Sequence, residues 1–195
     1  MKFPTSYTIE TRRCRLRIVS LEDIPHIFSA TRHKGFNDGM LWDPPSCVEE
    51  LSAAFEASMR AWTEDQAYCF TIEEREQRKF IGRIAIRSKE GSVWDIGFWT
   101  HPEEQNKGYM KEALAAVVTF GFTELDATRL VACHASWNQA SEAVLRSTGM
   151  IFLEHIPEGF QKRGEWVAEN LLGITREEWE SNKTMESAFS GTSEK

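Results

Sequence analysis

A strand-like run from Val93 to Trp99 gives way to the loop Gln105–Gly108. It then passes straight into a helical pattern that runs from Met110 to about Leu125. This change of period, from two to 3.6, constrains the fold more than anything else in the chain. Gly108 stands where the backbone must turn tightly, a conformation that glycine adopts without steric cost. The helix start behind it leaves several N–H groups without intrahelical partners, at the positive end of the helix dipole. Such a helix start attracts anions, so the join reads as a site for a phosphate-bearing ligand.

The elements on either side fix what the join connects. Arg15 to Val19, Ala67 to Glu73, Phe80 to Arg87 and Val93 to Thr100 read as strands, the last three joined by charged or Gly-containing turns. Arg129 to His134, Ile151 to Ile156 and Trp166 to Ile174 read as three more, the last two around a polar loop. Ser20 reads as the N-cap of a short helix over Leu21 to Ala30. Ser46 with Glu49 forms a capping-box pattern that opens a helix to about Trp62, with Val48, Leu51, Phe55 and Met59 on one stripe. Asn138 to about Thr148 is a further helix, ended at Gly149. Thr175 caps a terminal turn, and residues 181–195, rich in Ser, Thr and Glu, read as a flexible tail. The early strands can form an antiparallel meander. The helix after Gly108 must cross over to the Arg129 strand, which makes that pair parallel. The expectation is an α/β chain: a single domain over 1–180, with one mixed sheet and helices on both faces.

Composition narrows the function classes. A net charge of −7 argues against a general nucleic-acid binder. No run approaches the roughly 18 apolar residues of a membrane span, and the opening MKFPTSYTIE has no continuous apolar core of a signal peptide. Cys14, Cys47, Cys69 and Cys133 are widely spaced and read as reduced, half-buried thiols of a cytoplasmic protein, with no disulfide or metal framework. No G-x-G-x-x-G follows an early strand, which disfavours a Rossmann-type nucleotide enzyme.

The order of elements, the segment QNKGYMKEAL and the later NQASEAVLRSTGM resemble the GNAT superfamily of acetyl-CoA-dependent N-acetyltransferases. The closer similarity is to the bacterial branch that acetylates ribosomal-protein N-termini. It covers about Thr11 to Trp179, including the phrases TRRCRLRIV, FIGRIAI and REEW. The resemblance implies a mostly antiparallel, seven-stranded mixed sheet with a splayed central parallel pair. It also implies acetyl-CoA as co-substrate, with no metal. The family's loop runs Arg/Gln-x-x-Gly-x-Gly/Ala; Gln105 and Gly108 match it, and Met110 departs from it. Backbone of Asn106, Lys107, Gly108, Tyr109, Met110 and Lys111 would hold the pyrophosphate. Exposed backbone at Phe98, Trp99 and Thr100 would pair with the pantetheine arm, as in strand addition.

Acetyl transfer needs a neutral amine, a stabilised thioester oxygen and a proton for the departing thiolate. By the resemblance, Asn138 contacts the pantetheine and Ser141 lies near the thioester sulfur as the acid. By spacing alone, Asn138 is an N-cap and Ser141 a first-turn residue. Asp95, on the strand face it shares with Gly97 and Trp99, is a candidate base or a structural acid; His134, Glu73 and Glu165 are further options. The acceptor side is expected to use the first two helices, the 31–45 loop with its aromatics and the 157–165 loop. The acceptor itself stays open between a protein N-terminus and a small amine. A non-catalytic acyl-CoA sensor is the reading from another class, and a homodimer is left open.

Overall fold

The computed structural model describes residues 1–190. Eight strands among them form one sheet: β1 (Thr8–Glu10), β2 (Cys14–Ile18), β3 (Ala67–Glu74), β4 (Phe80–Ser88), β5 (Val93–Thr100), β6 (Arg129–Ala135), β7 (Ile151–Lys162) and β8 (Glu165–Thr175). Their spatial order is β1-β2-β3-β4-β5-β6-β8-β7. The helices are α1 (Ile24–Thr31), α2 (Glu50–Thr63), α3 (Tyr109–Thr123), α4 (Gln139–Arg146) and α5 (Arg176–Ser190). Neighbouring strands are antiparallel except β5 and β6, the pair that the α3 crossover makes parallel.

That parallel pair positions everything else. β5 and β6 are in register only at Val93↔Arg129, Trp94↔Leu130 and Asp95↔Val131. Beyond Asp95 they part, and each keeps its outer partner: β5 stays on β4 as far as Gly82↔Thr100, and β6 stays on β8 as far as Ala135↔Glu169. The sheet therefore opens into a V whose inner edges carry backbone groups with no ladder partner.

The core lies between the sheet and α3. Met110, Ala113, Leu114, Val117, Val118, Phe120 and Phe122 of α3 are buried against Leu16, Phe70, Ile72, Ile84, Ile86, Ile96 and Leu130. Fully burying one such side chain contributes about 1.5–3 kcal/mol. Trp62, at the end of α2, meets Tyr68 and Phe70 edge-on with centroids 5.1 Å away, and its indole N–H donates to the Phe3 carbonyl (2.9 Å). The opposite face of the sheet carries a polar knot. There Arg17 bridges Asp23 and Glu73, and Thr71 donates to Asp23, tying the residue that precedes α1 to the meander.

Several elements differ from the sequence expectation. The sheet has eight strands where seven were expected, because the short β1 pairs with β2. The Ser46–Glu49 capping box does not form. α2 starts at Glu50, whose carboxylate reaches back to the Ser46 N–H (3.0 Å). The polar loop expected between the last strands is absent. β7 and β8 continue as a hairpin to Lys162↔Glu165, turning through Arg163 (φ 51°) and Gly164 (φ 85°). Two successive left-handed residues make the tight turn that matches strand twist. Residues 181–190 continue α5, and 191–195 lie outside the described residues. Trp62 and Trp94 are buried, whereas Trp166 on the hairpin is 51% exposed.

Candidate active site

The V between β5 and β6 is the floor of a cleft of about 820 Å³. One wall is β5 from Ile96 to Thr100; the facing wall is Cys133 to Ala135 with the first turns of α4. The loop before α3 closes one end, and the 33–40 segment lies across it.

The loop is built to present backbone N–H groups. Asn106 (φ 61°) and Gly108 (φ 79°) are both left-handed. The first backbone bond of α3 runs from the Glu112 N–H to the Gly108 carbonyl (3.3 Å). The N–H groups of Tyr109, Met110 and Lys111 therefore have no intrahelical partner. Met110 turns its side chain into the core, 5% exposed, so its bulk is directed away from the loop.

An N-terminal brace holds this loop. The Arg13 guanidinium donates to the Lys107 carbonyl (3.0 Å) and to Glu112 (2.7 Å), and lies over the Tyr109 ring (4.8 Å). Glu112 also accepts from the Thr11 hydroxyl (2.7 Å) and the Arg13 N–H (2.6 Å). Burial alone would raise the Glu112 carboxyl, but these donors outweigh it and hold the group below the ordinary carboxylate range. Lys107, whose backbone was expected at the pyrophosphate, does not line the cleft; its ammonium pairs with the buried Glu104 (3.0 Å) beside Lys79. Gln105, Asn106, Gly108, Tyr109, Met110 and Lys111 do line it.

Phe98, Trp99 and Thr100 line the opposite stretch of the cleft, with their inner-edge backbone free of β6. Asn138 is the N-cap of α4: its Oδ1 accepts from the Ser141 N–H (3.1 Å). Both residues face the cleft, so the cap and the site coincide. His134, 5% exposed, directs Nδ1 to the Ala135 carbonyl (2.8 Å). Its Nε2 has no partner among the described residues.

Asp95 sits at the closed apex of the V, ion-paired with Arg87 (3.1 Å), and does not line the cleft. Beside it stands Glu169 of β8, which likewise does not itself line the cleft. Burial raises the Glu169 carboxyl above its usual range, and the Asp95 charge adds to the effect. The period-2 pattern of β8 puts Glu169 on the same face as Leu171 and Gly173. That was the only sequence signal for it, and it does not separate a base from a surface acid. Glu73 belongs to the Arg17 knot and Glu165 to the hairpin turn, so neither reaches the cleft. Among the described residues no group of three His, Cys, Asp or Glu is placed to hold a metal, and no helix is long and apolar enough to cross a membrane.

A family model described as an acetyltransferase (GNAT) domain matches residues 13–151. The uncharacterized N-acetyltransferase YnaD of Bacillus subtilis (strain 168) is 29% identical over 177 residues, covering 88% of this chain and 98% of that protein. Two solved structures share the fold. RimL, a ribosomal L7/L12 alpha-N-protein acetyltransferase in complex with coenzyme A, superposes with a TM-score of 0.79 at 19% identity, covering 87% of this chain and 98% of that one. Mycobacterium smegmatis RimJ, in complex with a CoA-disulfide, does so with a TM-score of 0.76 at 22% identity, covering 89% of each chain.

Proposed function

The chain belongs to the GNAT acetyltransferase family, and on that footing we propose that it transfers acetyl from acetyl-CoA directly to a primary amine, an N-terminal α-amine of a protein such as a ribosomal protein. The observation that carries this is the three-residue pairing of β5 with β6, followed by a splay with an N–H-rich helix start at its mouth. A thin, extended, amide-bearing arm fits between the parted strands, and its phosphates fit the helix start.

Bound there, acetyl-CoA supplies the thioester. Residues 106 and 108–111 of the loop hold the pyrophosphate through backbone N–H groups, while Arg13 and Glu112 keep the loop in shape. The N–H near Phe98 or Trp99 stabilises the negative charge that develops on the thioester oxygen. Asn138 orients the arm from the α4 cap. Ser141, which lines the cleft, gives its hydroxyl proton to the leaving thiolate. Glu169 takes the proton from the attacking amine through water, and Asp95 beside it keeps that carboxyl basic. Asp95 as the direct base is the competing assignment.

The experiment is a mass-spectrometric screen of peptides and small amines with acetyl-CoA, followed by kinetics of free CoA release. Ser141→Ala should lower kcat by about 100-fold or more, within the range of a positioned acid, and leave KM for acetyl-CoA near its starting value. A wild-type kcat in that variant removes Ser141 from the role. If Glu169→Gln loses the pH-dependent rise in rate and Asp95→Asn keeps it, the base is Glu169; the reverse result assigns it to Asp95. Binding of acetyl-CoA with no turnover across the whole panel would favour the sensor reading.

A further inference from the structure

The segment 33–43 is a strap laid across the open side of the V. Its Phe36 ring meets Trp99 of β5 edge-on (5.3 Å, 87°). Three residues later Gly39 lies against Ala135 and Trp137, beyond the end of β6; a Cβ at Gly39 would stand 3.2 Å from the Trp137 ring. The strap therefore touches both parted strands. It is a chain of turns, with Phe36, Asp38 and Met40 N–H groups bonded three residues back, so its own backbone does little to fix where it sits.

What fixes it comes from the tip of the β7–β8 hairpin, about 120 residues away. The Lys162 ammonium donates to the Met40 carbonyl (3.0 Å) and the Trp42 carbonyl (2.8 Å), and pairs with the Asp43 carboxylate (2.7 Å). Three acceptors satisfy all three of its donors. The Lys162 side chain is only 7% exposed. A lysine is rarely so deeply buried unless its charge is matched, and here it is matched entirely by the strap. Arg163 adds a weaker, exposed tie to Asp38 (3.2 Å). Asn37, 3% exposed, braces the strap from within by donating to the Trp42 carbonyl (3.3 Å).

We propose that Lys162 is a positioning residue that sets acceptor specificity: it latches the 33–43 strap so that Phe36 and Met40 form the acceptor-side wall of the cleft. This rests on the acetyltransferase reading above. The Lys162 ammonium bonds only to the strap and has no hydrogen bond or ion pair with the pyrophosphate loop at 105–111, so the latch acts on the acceptor side and leaves the phosphate end of the cofactor site unchanged.

The test compares wild type, Lys162→Met and Arg163→Ala with acetyl-CoA and two hexapeptides, one beginning with Ala and one with Trp. Lys162→Met should raise KM for the preferred peptide about 10- to 100-fold, the scale of an ångström-level misplacement, and should flatten the Ala-to-Trp preference. The Kd for CoA should not change, and hydrogen exchange of residues 33–43 should accelerate. A merely structural role would lower Tm and kcat for both peptides without moving their ratio. Arg163→Ala removes only an exposed pair and keeps the fold in hand if Lys162→Met does not fold; it should shift the same ratio in the same direction, by less. An unchanged ratio in every variant that folds overturns the proposal. If wild type acetylates neither peptide, the functional reading falls, and the latch is then judged by exchange: unchanged protection of 33–43 in both variants overturns it as well.

Discussion

Gly82 offers the sharpest test of how the sheet builds the cleft. It lies in β4 opposite Thr100, and a Cβ placed on it would stand 2.2 Å from the Trp99 carbonyl oxygen and 2.9 Å from the Thr100 Cα. Both neighbours are backbone, so no side chain can swing aside. Restoring an ordinary contact of 3.4 Å requires a movement of about 1.2 Å. β4 is held on its other side by β3, at Ile72↔Gly82, whereas β5 has no partner beyond Asp95 on its inner edge. The strain in Gly82→Ala is therefore released by displacing Trp99 and Thr100, the stretch assigned to the pantetheine arm. Overpacking of this kind costs about 1–3 kcal/mol, which a domain stable by about 5–15 kcal/mol survives. An ångström at the reacting centre costs about 100-fold, so kcat/KM for acetyl-CoA should fall by about that factor, or about 2.7 kcal/mol. The assay is CoA release at varied acetyl-CoA, beside a thermal melt. Gly91→Ala serves as the control. Gly91 (φ 63°) has nothing within 4 Å of its Cβ position, so that variant carries backbone strain of about 1–2 kcal/mol far from the cleft and should keep wild-type kinetics. Gly82→Ala with wild-type kcat/KM would refute the claim that β5 at Trp99 shapes the cofactor site.

Other perturbations test separate parts of the molecule. Glu112→Gln removes the charge that draws in Arg13; it should weaken acetyl-CoA several-fold and cost about 1–2 kcal/mol, discounted because the Arg13 side chain is 42% exposed, as read by titration calorimetry and denaturant melts. Trp62→Ala empties a site that is 0% exposed and strands the Phe3 carbonyl, so about 3–5 kcal/mol of stability should be lost in urea unfolding. Burial holds the His101 imidazole below its ordinary pKa, with His33 and His26 adding to the effect against Glu103 and Glu104, and its Nδ1 accepts from the Glu103 N–H at the turn leading into the phosphate loop. A depressed imidazole gives stability that is present above the unfolded value near 6.5 and is lost as pH falls toward the folded value. Glu169 has the opposite sign, because its raised carboxyl gives stability that is lost as pH rises. The clean readout is therefore the difference in Tm between wild type and His101→Asn from pH 7 to pH 5, which should shrink or reverse on acidification; a constant difference would contradict it.

What the sequence showed and what it hid divide along the range of the interactions. The Gly108 turn, the α3 stripe from Met110 through Leu114 and Val117, and the Asn138 cap three residues before Ser141 each sit within a few residues, so their spacing is their geometry. Ser46 and Glu49 had the same kind of spacing and did not form a cap, because Glu50 competes for the Ser46 N–H from one residue further along. The tight β7–β8 hairpin is not legible in the sequence because its turn is Arg163–Gly164, where an Asn or Asp before Gly would mark it, and because Pro157 and Gly159 interrupt the alternation of a strand that still pairs with β8. Glu169 was one acid among 30 acidic residues, and only its neighbours Asp95 and His134 set it apart.

From the sequence alone came the strand–loop–helix join, its anion-attracting helix start and the crossover that makes β5 and β6 parallel, because backbone conformation and hydrophobic period are written locally. Only the tertiary structure decided that the parallel pairing stops after Asp95, that Lys107 is spent on Glu104, that Asp95 comes beside Glu169, and that Lys162 ties down a strap about 120 residues away. Those outcomes depend on strand register and on which long side chains converge after folding. No spacing in the sequence encodes a contact between residues that meet only when the sheet is complete.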